Sequence, residues 1–127
     1  MPVPLFRAIG VLEAAAEDPN TVVHLRDKFS PSTPDVSWIR TLAEEREWII
    51  ISADYRITKN PANRKAWKES GLQGFFLKPG WAEQKLWLYA SRFIGWWPNI
   101  VAAAKVMPKG SSFLVPFRGT KFETLNL

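Results

Sequence analysis

Apolar residues recur along this chain at two alternating spacings, and the alternation predicts its elements. Leu5, Phe6, Ala8, Ile9, Val11, Leu12 and Ala15 follow a helical period. The predicted helix runs over residues 3–17, with Pro2 and Pro4 tolerated at its start, and stops before Asp18-Pro19. Residues 21–25, rich in β-branched side chains, predict a strand, and a loop with two prolines follows. Thr33-Pro34-Asp35 predicts a helix start, with Thr33 as cap, Pro34 in the first position and Asp35 in the first turn. Val36, Ile39, Leu42 and Ala43 give that helix one apolar face, which ends near Arg46. Trp48, Ile49, Ile50 and Ile51 then form an uninterrupted apolar run, read as a strand buried on both faces and ending at Ser52.

Asn60-Pro61 repeats the cap-and-proline signal and opens a helix to about Ser70, where Gly71 stops it. Residues 74–77 predict a further strand. A long helix follows over residues 82–106. Leu86, Ala90, Phe93, Ile94, Trp97, Ile100, Val101 and Ala104 share one arc of it. Trp87 and Trp96 fall at the margins of that arc, and Leu88 lies nearly opposite. Pro98 removes one helical hydrogen bond, which predicts a kink or break. Residues 112–117 predict a last strand, placed at a sheet edge because of Pro116. Residues 118–127 read as a loose tail. Alternating helices and strands define an α/β fold with a mainly parallel sheet and helices on both faces, in three α/β/α layers. The 127 residues suit one domain with one core.

Composition adds three points. Seven Trp and eight Phe predict a core of large rings, with apolar surface left over for a second chain. A formal charge of +5 permits a polyanionic partner. The absence of cysteine excludes disulfides, thiolate zinc sites and cysteine nucleophiles. No apolar run approaches the ~18 residues of a membrane span, and no signal peptide is visible, so a cytoplasmic protein is expected.

Candidate chemistry gathers after the residue 48–52 strand. Asp54 follows it, and the loop beyond carries Arg56, Thr58, Lys59 and Asn60, with Asn63, Arg64 and Lys65 in the next helix. Ligands of open α/β sheets bind beyond the carboxyl ends of strands. A carboxylate there, beside a basic and amide-rich loop, suits a hard cation next to a phosphate. Asp54 also suits an Asx-turn closing the strand, and Asp35 suits a helix N-terminus on dipole grounds alone. Asp27 either joins the same sheet edge or pairs with Arg26 or Lys28 in solvent. His24, the only histidine, reads as a packing residue.

The blocks VVHLRDKF, TPDVSWI, WIIISADYRITKNPANRKAW and GFFL, in that order, resemble PIN-like domains of VapC-type toxins. The resemblance implies a PIN-like fold and a Mg²⁺- or Mn²⁺-dependent endoribonuclease restrained by a cognate antitoxin. Asp35 and Asp54 would be its catalytic and metal-binding acids. Arg56, Thr58, Lys59, Asn60 and Arg64 would lie beside the RNA. Members usually carry a short apolar strand ending in an acidic residue before the first helix, whereas this sequence opens on that helix. The sequence therefore either begins late or belongs to a degenerate member that binds RNA or a protein partner without efficient cleavage. Such a missing strand would leave a gap beside residues 21–25 and 49–52, which another chain could fill, so a homo-oligomer is expected.

Overall fold

The computed structural model describes residues 1–127, which divide into two compact units, Met1–Thr33 and Pro34–Leu127. The first unit contains α1 (Val3–Ala14) and a single-turn helix, α2 (Leu25–Lys28). Buried Glu13, near the end of α1, accepts hydrogen bonds from the backbone amide and the side-chain amide of Asn20, at 3.0 and 3.2 Å. Residues 21–24 form no strand. The strand predicted over 21–25 is therefore corrected: His24 caps α2, its Nδ1 accepting from the Arg26 amide at 3.1 Å. A local side-chain cap competes with an extended run, and no strand pairs with this one. The ring of His24 also packs edge-on against Phe6, 5.0 Å between centroids.

All four strands belong to the second unit. They are β1 (Ile49–Ser52), β2 (Gln73–Leu77), β3 (Ser112–Val115) and β4 (Glu123–Thr124), in spatial order β1-β2-β3-β4. The first three are parallel, and β4 pairs antiparallel with β3. Helix α3 (Asp35–Glu45) precedes β1, α4 (Pro61–Ser70) joins β1 to β2, and α5 (Leu86–Val106) joins β2 to β3.

Register explains the core. Gly74 and Phe76 of β2 share a face with Ser112 and Leu114 of β3, while Phe75 pairs with Phe113 on the other. Trp67 of α4 packs on the first face, edge-on to Phe76, with its Nε1–H donated to Ser112 Oγ at 2.9 Å. Trp96 of α5 reaches the second face through Phe122, which touches Phe75 and Phe113. Helices thus cover both faces, and every residue of β2 is buried. Burying each such large apolar side chain contributes on the order of 1.5–3 kcal/mol.

Further expectations are corrected. The residue 48–52 strand is not buried on both faces; β1 is an edge strand, with Ile49 41% exposed. The strand predicted at the edge, residues 112–117, lies inside the sheet as β3, because it ends at Val115 and Pro116 falls beyond the ladder. The gap foreseen between residues 21–25 and 49–52 does not arise, since the first of these is not a strand. In residues 118–127, β4 and the packed Phe122 give order where a loose tail was expected. Helix α5 continues through Pro98 without a break. Its buried stripe is Tyr89, Phe93, Trp96, Ile100 and Ala103, so the arc drawn through Leu86 and Ile94 is rotated from the true one. No helix is long and apolar enough to cross a membrane.

Candidate metal and phosphate site

The candidate acids lie at two places, beyond the carboxyl end of β1 and at the start of α3. After Ser52 the chain turns sharply. Ser52 Oγ accepts from the Asp54 amide at 3.0 Å and donates to the Asp54 carbonyl at 3.1 Å. Asp54 then caps a 3₁₀ turn, Tyr55–Thr58, its Oδ1 accepting from the Arg56 amide at 2.9 Å. The Asx-turn reading of Asp54 therefore holds as geometry. It leaves the carboxylate at the surface rather than sequestering it.

Arg56 closes a fork on that carboxylate. Its Nε donates to Oδ1 and its Nη2 to Oδ2, both at 2.9 Å. Arg56 holds the Asp54 carboxyl below the usual range, first through this side-chain bond and then through its backbone amide and its charge; partial burial opposes it. Arg56 is raised in turn, chiefly by Asp54, with Asp35 adding to the field.

Asp35 is the first residue of α3, and Pro34, not Thr33, occupies the cap position, with no side-chain cap bond. Both Asp35 oxygens are held. Trp38 Nε1 donates to Oδ1 at 2.9 Å, and Asn63 Nδ2 donates to Oδ2 at 3.1 Å. The i, i+3 spacing of Asp35 and Trp38 is a local signal that sequence could have carried. The Asn63 contact comes from α4 and has no local signal.

The remaining candidates separate. Lys59 is exposed and lies over the Tyr55 ring, 4.7 Å from its centroid. Arg64 is exposed on α4. Asn60 spends its side-chain oxygen on the amides of Ala62 and Asn63, at 3.0 and 3.2 Å, as the cap of α4. Thr58 is buried and donates its hydroxyl to the Tyr55 carbonyl at 2.7 Å. Asp27 is exposed in α2, and His24 serves as that helix's cap.

A hard divalent cation prefers oxygen donors, and Mg²⁺ is commonly held by one or two carboxylates completed by water and substrate phosphate. Asp54 offers one such carboxylate at the surface, with both oxygens held by Arg56, and Asp35 offers another, with its oxygens held by Trp38 and Asn63. They do not make a self-sufficient cage. No group of three or more acidic, His or Cys side chains is placed to hold a metal.

Residues 5–79 match the family model of the PIN-like domain, and the chain belongs to that family. No curated protein and no solved structure matches the chain.

Proposed function

We propose that this protein is a Mg²⁺- or Mn²⁺-dependent endoribonuclease of the VapC toxin kind, acting in the cytoplasm and restrained by an antitoxin. The supporting observation is the Asp54 carboxylate beyond the end of β1, forked by Arg56 and followed by a basic loop, in a chain of the PIN-like domain family. In this reading Asp35 and Asp54 hold the metal, which when bound polarises the phosphodiester and lowers the pKa of attacking water. Trp38 and Asn63 fix the rotamer of Asp35, as outer partners of metal ligands commonly do. Arg56, Lys59 and Arg64 bind backbone phosphates, which position RNA without reading its sequence. Asn60 and Thr58 act indirectly, by shaping the turn that presents Arg56 and Lys59. The exposed apolar side of α5, with Trp87 and Leu88, is the surface offered to an antitoxin or a second copy.

Cleavage of a fluorogenic single-stranded RNA with Mn²⁺ or Mg²⁺ tests the reading. Activity should vanish with EDTA and fall at least about 100-fold in Asp54→Asn, as expected when a ligand of the reacting centre is lost. A second reading is favoured by the small number of acids: RNA binding without efficient turnover. Wild-type protein that binds RNA yet shows no metal-dependent cleavage selects it.

A further inference from the structure

The two edges of the sheet are finished differently. β4 is two residues long, and its Glu123 is tied to Lys78 by a 2.8 Å ion pair, so that edge is short and charged. β1 carries neither of the residue types that blunt an edge strand: residues 49–52 are Ile-Ile-Ile-Ser, with no proline and no charge. It pairs only with β2, and no backbone hydrogen bond beyond that ladder reaches Ile49–Ser52. Its outer side therefore presents a row of unpaired amides and carbonyls. None of its four residues is fully buried, whereas every residue of β2 is.

We propose that the open edge of β1 pairs antiparallel with the same strand of a second copy, joining two four-stranded sheets into one across a two-fold axis. The segments flanking β1 select both the occupant and its direction. Residues 44–48, leading into the strand, hold Glu44, Glu45 and Glu47 against Arg46 alone. Residues 53–64, leaving it, hold Arg56, Lys59 and Arg64 against Asp54 alone. Glu44, Glu47, Lys59 and Arg64 are all exposed. The strand thus runs from an acidic end to a basic one. A parallel copy would set like charge beside like. An antiparallel copy sets each acidic end beside its partner's basic end, twice over, as two-fold symmetry requires. Across the axis the isoleucines meet as cross-strand apolar pairs, and Ile49, 41% exposed, leaves water. Helix α5 lacks this self-complementarity. Its charged residues are Arg92 and Lys105, with Lys85 just before it, so a copy docked along it meets only like charge.

Sedimentation equilibrium of the full chain tests the pairing. The wild type should rise reversibly from 14.5 kDa toward twice that mass as its concentration increases, and added salt should weaken the rise. The double substitutions Glu44→Lys/Glu47→Lys and Lys59→Glu/Arg64→Glu each make the two ends of the strand alike in charge. Each variant alone should therefore associate at least about tenfold more weakly than wild type, as several exposed like-charge contacts replace attractive ones. Mixed in equal amounts, the two variants should recover the dimer, because each now supplies the charge the other needs. Recovery on mixing also shows that both variants are folded. Hydrogen–deuterium exchange gives the location: residues 49–51 should gain protection as the wild type associates, and residues 86–95 should not. A monomer at every concentration, association unaffected by either double substitution, mixing without recovery, or protection gained on α5 in place of β1 each overturns the proposal.

Discussion

Tyr89 has a buried hydroxyl with no hydrogen-bond partner, although the residue is only 6% exposed. Burial pushes its pKa up from 10.0 to about 12. A raised folded pKa gives stability that is intact below pH 10 and is lost as pH climbs toward 12, because the unfolded chain releases the proton first. Tyr89→Phe should abolish that alkaline loss. At neutral pH it should also stabilise the fold by on the order of 1 kcal/mol, since it removes an unpaired buried polar group. Urea titrations at pH 7 and 11 read both effects. Gly74 is the opposite kind of residue, needed for space. A Cβ there would sit 2.5 Å from Cζ2 of Trp67 and 2.8 Å from Cε2 of Phe76. Gly74→Ala should therefore destabilise by about 1–3 kcal/mol, the usual cost of overpacking, in the same titration. Neither effect is legible in sequence, because both depend on what α4 and α5 bring from elsewhere.

At the level of elements, what is written locally was readable. Helix α4 carries all its signals in sequence: Asn60 as cap, Pro61 in the first position, and Gly71 at φ 70° after the end. Asn60→Ala should cost about 1 kcal/mol of stability, measured by thermal unfolding, through loss of the two capped amides. Residues 21–25 show the limit of such reading. Their β-branched run has strand propensity, but propensity without a pairing partner loses to a capped turn. The buried stripe of α5 was misplaced for a related reason. The helix is apolar nearly all round, so periodicity alone does not choose which side meets the sheet. The sheet chose, through Phe122 and Trp81, which contact Trp96, Tyr89 and Phe93.

For the whole molecule, the acids of the candidate site could be picked out from their positions beyond a strand and at a helix start. The partners that hold each of them could not. The Arg56 fork depends on the turn that Ser52 and Asp54 build, and the Asn63 bond joins residues 28 positions apart. If the basic loop does bind RNA, Lys59→Ala should weaken binding across sequences and flatten its salt dependence by roughly one unit of slope or less, measured by fluorescence anisotropy at several salt concentrations. The uneven burial of the tryptophans has an optical consequence. Trp67 and Trp81 are sealed in the core, while Trp87 stands 85% exposed on α5. Under red-edge excitation, iodide should quench Trp87 and leave the sealed indoles bright. A partner settling on α5 would shift the emission to the blue and shield it, whereas unfolding would shift it to the red, so one cuvette could tell docking from denaturation.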